Sequence, residues 1–223
     1  MSNVDIKNVF GFTTRKTNEL LNQYNIRDVK TLRSYIRKIP NILNDVQLIS
    51  LRYHNHVDKL VSREEITPYV SYILKNIKAD VCGMYRITNL GNIKYIKELM
   101  FITTVDLKKQ IDILEKKNII ISTLIYSDDK YVGIIKMPKS NIIRILHIIK
   151  TTSVEKPFIM LFNSSSKEFL NNMKRTAKRN KYLLTIDGLF DNKNKLVLGI
   201  KKEEDIFRIL KIKYIHVNDR YQF

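Results

Sequence analysis

The chain has 223 residues, 44% of them hydrophobic, enough for a core of one large or two small domains and too apolar for a disordered tail. Forty Lys and Arg stand against 22 Asp and Glu, a net charge of +18. That excess repels itself on folding and points to a polyanionic partner, nucleic acid above all. No apolar run is long enough to span a bilayer, and the opening MSNVDIKNVFGF lacks a signal-peptide core. The single cysteine, Cys82, excludes an internal disulfide and a cysteine-based zinc site; a reducing, intracellular compartment (cytoplasm, nucleus or virion) is expected.

Residues 1–78 carry a helical period and form a first, fingers-like region. TRKTNELLNQY (14–24) puts Leu20, Leu21 and Tyr24 on one face, and DVQLISLRYHNHVDKL (45–60) repeats the pattern. Ser62 and Glu65 have capping-box spacing ahead of another helix, although Thr67 as N-cap with Pro68 in the first turn is an alternative start. From residue 79 the period shortens. DVCGMYRI (80–87), KELMFITT (97–104), IIISTLIY (119–126), YVGIIKM (131–137), IIRILHII (142–149) and PFIMLF (157–162) read as strands, with SDDK (127–130) as a hairpin turn and a helix over 106–118. Residues 79–152 make the sheet-bearing region. In the last region, 153–223, a helix over 166–180 precedes a strand pair, YLLTIDGLF and KLVLGI, and a helix at 203–211. The order gives an α+β fold.

Five of these stretches, in order, resemble the family X DNA polymerases of the polymerase beta type. NVFGFTTRKTNELLNQYNIRDVKTL (8–32) is similar to their helix-hairpin-helix fingers, and LISLRYHNHVDKLVSREE (48–65) to the next helix and its capped turn. VCGMYR (81–86) resembles a Cys-Gly-Ser-Phe-Arg strand end. Residues 154–190 and EEDIFRILKIKYIHVNDR (203–220) resemble the thumb and the closing segment. The resemblance implies a nucleotidyltransferase-like palm sheet with helical fingers and an α/β thumb, and DNA as partner. The small lyase domain of the beta-type enzymes has no counterpart in these residues, and the compact, AT-biased form suggests a virus-encoded protein.

The departures fall where that family does its chemistry. Its two Mg²⁺ ions, about 3.5–4 Å apart, are held by three Asp, since hard cations need carboxylate oxygens. The matching positions here read Lys97 and Leu99, or in the neighbouring frame Glu98 and Met100, with His147 as the third. Met84 stands in place of the Ser that grips the triphosphate, so Gly83 and Arg86 are the remnants of nucleotide binding. Leu161, Phe162, Asn163 and Ser164 replace the Tyr-Phe-Thr-Gly turn. The resemblance therefore implies a pseudoenzyme with no metal or other cofactor, acting on double-stranded, nicked or gapped DNA as an accessory or structural factor. One alternative is a working repair polymerase, Mg²⁺-dependent, with a site rebuilt from Glu98, Asp106 and a further residue. Another is an assembly protein that uses the cleft for a protein partner or a second copy of itself.

The DNA contacts implied are the hairpin GFTTRK, with Gly11, Thr13 and Lys16, and the thumb helix, with Lys167, Lys174, Arg175, Lys178, Arg179 and Lys181. Lys174, Lys178 and Lys181 share one side at helical spacing, whereas Phe169, Leu170, Met173 and Ala177 form the apolar stripe. A charge run is commonly just a solvated face, and an AT-biased genome alone enriches lysine; local clustering favours phosphate contact. His54 and His56 lie two apart on a helix and face different ways, Asp128 and Asp129 belong to a turn, and Cys82 reads as a buried structural thiol.

Overall fold

A computed structural model describes residues 4–87, 95–137 and 140–221. Five α-helices come first: α1 (Val4–Lys7), α2 (Thr14–Tyr24), α3 (Val29–Ile36), α4 (Asp45–Val57) and α5 (Arg63–Asn76). Their starts are chemically marked. The side chains of Thr13, Asp28 and Asn44 accept the otherwise orphaned N–H groups of Lys16, Thr31 and Gln47. Ser62 and Glu65 close a capping box, so α5 begins at Arg63, and Pro68 is carried inside the helix instead of opening it.

The palm follows: β1 (Asp80–Cys82), β2 (Glu98–Thr103), α6 (Leu107–Lys116), β3 (Ile120–Tyr126), β4 (Lys130–Lys136) and β5 (Ile143–Lys150). The five strands lie in the order β1-β2-β5-β4-β3. All neighbours are antiparallel except β2 and β5, which run parallel with Glu98 opposite Ile145 and Met100 opposite His147. Ser127–Lys130 is the expected hairpin turn, closed by Ser127 N–H donating to the Lys130 carbonyl. The expected strand over 80–87 ends at Cys82, where Gly83 (φ +68) turns the chain into a short 3₁₀ segment.

The remaining elements are α7 (Lys156–Asn163), α8 (Lys167–Arg179), a two-residue pair β6 (Leu183–Leu184) and β7 (Leu189–Phe190), and α9 (Glu203–Ile209). Two sequence expectations are corrected. PFIMLF is not a strand but the body of α7, with Pro157 in the first turn, where its missing N–H costs nothing. KLVLGI does not pair as a strand; only Leu196 bridges to Phe190, and β7 is instead the partner of β6.

One sheet face packs Leu99, Phe101, Leu146 and Ile148 against Ile66, Tyr69, Val70 and Ile73 of α5 and Leu107, Ile111 and Leu114 of α6. Thus α5, helical like the fingers, buries its apolar side in the palm. The opposite face offers Val132, Ile134, Ile143 and Ile145 to Phe10, Val46, Ile49 and Tyr53. Arg144 is 1% exposed and ties β5 to the end of α4, donating to the carbonyls of His56 at 3.1 Å and Lys59 at 2.7 Å. A cation there meets the carbonyl-rich end of the helix. The thumb has its own core of Phe158, Leu161, Phe169, Met173, Ile206 and Phe207. Among the described residues, no helix is long and apolar enough to cross a membrane.

Candidate nucleic-acid interface and palm cleft

The parallel register decides which side chains face the cleft. Leu99 is fully buried in the α5 core, so the Lys97–Leu99 frame does not present a ligand pair. Alternation along the strand turns Glu98 and Met100 the other way, beside His147. Glu98 Oε2 lies 3.1 Å from His147 Nε2, close enough for charge attraction but without an aligned hydrogen bond. The imidazole holds the Glu98 carboxyl below its usual range, so the group is ionised at neutral pH. Phe10 closes over the other side of His147, edge to face, with ring centroids 6.2 Å apart. Lys97, just ahead of β2, pairs with Asp58 at 2.5 Å in an exposed contact.

Across the cleft, the strand end and the thumb are stitched together. Gly83 donates its N–H to Ser164 Oγ at 3.1 Å, and a Cβ at Gly83 would sit 3.3 Å from the Met100 side chain. Met84 accepts the Tyr221 hydroxyl on its sulfur. Cys82 is buried beneath this joint, and desolvation pushes its thiol up to about 11. Arg86 directs its guanidinium to Glu203 at 2.6 Å, and Glu203 also receives Arg220 at 2.6 Å. Arg220 is fully buried among the rings of Phe169, Phe207 and Tyr214. Sequence reasoning missed this Arg86–Glu203–Arg220 bridge. The only signal was that Glu203 and Arg220 both fall in the closing segment, far from Arg86.

A cavity of about 300 Å³ opens between the two halves, lined by Gly83, Met84, Tyr95, Lys97, Glu98, Met100 and Asn163. Its donor set does not suit a pair of hard cations. One carboxylate, a thioether and an imidazole stand where converging oxygens would be required. Among the described residues no group of three or more His, Cys, Asp or Glu side chains could hold a metal ion. Asp106 does not join Glu98: it caps the N-terminus of α6, beyond the far end of β2, about 16 Å of strand away. His54 is buried on α4 and His56 exposed, and Asp129 accepts the Ser127 hydroxyl within the β3–β4 turn.

The cationic elements stand apart from this cleft chemistry. In α8, Lys167, Lys174, Arg175, Lys178 and Arg179 are exposed while Phe169, Met173 and Ala177 are buried, as the apolar stripe implies. Lys174, Lys178 and Lys181 line one groove of about 610 Å³ with Tyr182 and Asp191. Lys174 Nζ sits 5.2 Å from the Phe162 ring of α7. In the hairpin, Gly11 has φ +79 and its carbonyl accepts from Gln47. Thr13 caps α2, and Lys16 is engaged by Glu19 at 2.6 Å.

Helical fingers, a mixed palm sheet and an α/β thumb, joined in this order, define a nucleotidyltransferase-like scaffold. Residues 159–221 match the family model described as the DNA polymerase beta thumb. Leishmania infantum polymerase beta has the same fold, at TM-score 0.82 over 97% of this chain in each of two structures. Its ternary gap complex is 19% identical with 88% of that chain covered. Its ternary P/T complex is 20% identical with 96% covered. No curated protein sequence matches the chain.

Proposed function

We propose that the protein binds double-stranded, nicked or gapped DNA as a non-catalytic accessory or structural factor. The observation that carries this reading is the set Glu98, Met100 and His147 on the cleft face of the β2–β5 pair. Two-metal phosphoryl transfer needs several oxygens converging on one point, and this set supplies one carboxylate, already engaged by an imidazole. Gly83 and Arg86, the remnants of a nucleotide site, spend their donors on Ser164 and Glu203. The thumb supports the DNA half of the reading: its exposed lysine row follows a groove, and its fold is that of a polymerase solved in a gap complex.

The test is titration of labelled gapped duplex with and without a dNTP, beside primer extension with Mg²⁺ or Mn²⁺. Salt-dependent DNA binding, no effect of dNTP and no extension are expected. Extension by the wild type that Glu98→Ala abolishes would show a rebuilt polymerase site. Absence of DNA binding at ~50 mM salt, with self-association on sizing, would favour an assembly role.

A further inference from the structure

We propose that the palm–thumb cavity receives an unpaired base of the bound DNA, with guanine preferred, in place of a nucleotide's phosphates. The inference rests on the DNA-binding reading above. It starts from what the cavity has lost. Phosphate recognition needs free N–H, hydroxyl or guanidinium donors. Here the Gly83 N–H is consumed by Ser164 Oγ, the Arg86 guanidinium by Glu203, and Met84 brings a thioether. Lys97, the one cation on the wall among the described residues, is paired with Asp58.

What remains suits a flat, uncharged ring. Met84 and Met100 flank Gly83, and methionine sulfur and methylene groups adapt to an aromatic face. Tyr95 lies on the same wall and is 44% exposed, a platform on which a base can stack. Among the polar groups that could read the ring, the Glu98 carboxylate is the charged acceptor. Asn163 gives one Nδ2–H to the Ile159 carbonyl at 2.9 Å, which leaves its Oδ1 as an acceptor beside the second N–H. Glu98 is ionised, and its Oε1 has no partner among the described residues.

A carboxylate discriminates among bases, because only guanine offers two adjacent donors, N1–H and N2–H, on its Watson–Crick edge. Adenine and cytosine each set an acceptor nitrogen beside their single amine, and thymine sets a carbonyl on both sides of N3–H. An ionised carboxylate accepts two hydrogen bonds from the first pattern and one from each of the other three, where it also faces an acceptor. A base must leave the stack to reach such a pocket, which costs least where it has no partner, as in a gap.

The experiment titrates the full chain, in EDTA, against four gapped duplexes that differ only in the unpaired template base. Fluorescence anisotropy of a labelled strand gives the affinities. Guanine is expected to bind about tenfold tighter than thymine, the scale of one bidentate contact. Glu98→Gln, which puts an amide donor in the same volume, is expected to level the four. Tyr95→Ala is expected to weaken all four by about tenfold relative to a nicked duplex, the loss of one stacking contact. Equal affinity for the four wild-type complexes, with DNA bound normally, overturns the base pocket and leaves DNA binding intact. So does loss of the guanine preference to competition by dGTP with Mg²⁺ but not by deoxyguanosine, since that would mean a phosphate site. Failure to bind any duplex overturns the DNA-binding reading itself. A melting curve for each variant separates misfolding from lost contacts, and the wild-type base series decides the question without either variant.

Discussion

The thumb and the palm of this molecule carry opposite chemistry on one scaffold. Along α8 the charged residues are exposed and repeated, while the apolar stripe beneath them is buried. Across the β2–β5 pair the cleft side chains run from exposed at Glu98 to buried at His147, and the carboxylate lies beside the imidazole. A row of lysines remains useful to phosphates through charge alone, whatever its detailed placement. A two-metal site fails when a single ligand is replaced. Binding through charge and chemistry through metal ligands therefore tolerate substitution very differently, and the proposed function rests on that difference between the two regions.

The comparison can be broken most severely at the joint between the regions. Glu203 pairs with both Arg86 and Arg220, the latter fully buried. Glu203→Ala should cost about 3–5 kcal/mol, because it strands a buried guanidinium; chemical denaturation reads this directly. If the loss is under about 1 kcal/mol, the bridge does not hold thumb to palm. The next largest effect belongs to the thumb alone. Lys174→Glu with Lys178→Glu should weaken DNA binding about a hundredfold at ~50 mM salt, equally for all sequences, and flatten the salt dependence. A change confined to particular sequences would mean base contact instead.

The smallest effect is at Cys82, under the cleft. Its thiol is raised from 9.0 to about 11 by burial, so the folded state holds a proton that the unfolded chain releases first. The associated stability is complete below pH 9 and is lost as pH rises towards about 11, on the order of 2 kcal/mol in all. Denaturation midpoints across that window should fall for the wild type and much less for Cys82→Ala. At pH 8 the thiol should react with a thiol reagent only as fast as the protein opens.

Most of the secondary structure was legible because its signals are local. The capping box at Ser62 and Glu65 and the period change near residue 79 lie within a few residues of the elements they mark. PFIMLF misled because a short, wholly apolar run has no period to separate strand from helix; Pro157, in the first turn of α7, was the available signal. KLVLGI had strand composition but lacks a ladder beyond one bridge. The candidate site was legible only as a choice between frames. Ile96, Leu99, Phe101 and Ile102 are all buried, so hydrophobicity along β2 does not alternate cleanly. Pairing with β5 was needed to turn Glu98 and Met100 towards His147. The Arg86–Glu203–Arg220 bridge was invisible for a simpler reason: charge complementarity between distant segments leaves no local pattern.

The parallel pairing of β2 with β5 also sets an order of assembly. An antiparallel hairpin such as β3–β4 can close as soon as its turn exists, whereas β2 must wait until α6, β3 and β4 have been laid down and β5 arrives beside it. Until then, Met100 has only Cys82 of β1 beside it, and Glu98 lies beyond that ladder. The cavity waits longer still, since Asn163 lies beyond β5 at the end of α7. During synthesis the lysine-bearing helix therefore emerges directly after the cleft acquires its last wall, and the two surfaces become available to a ligand almost together.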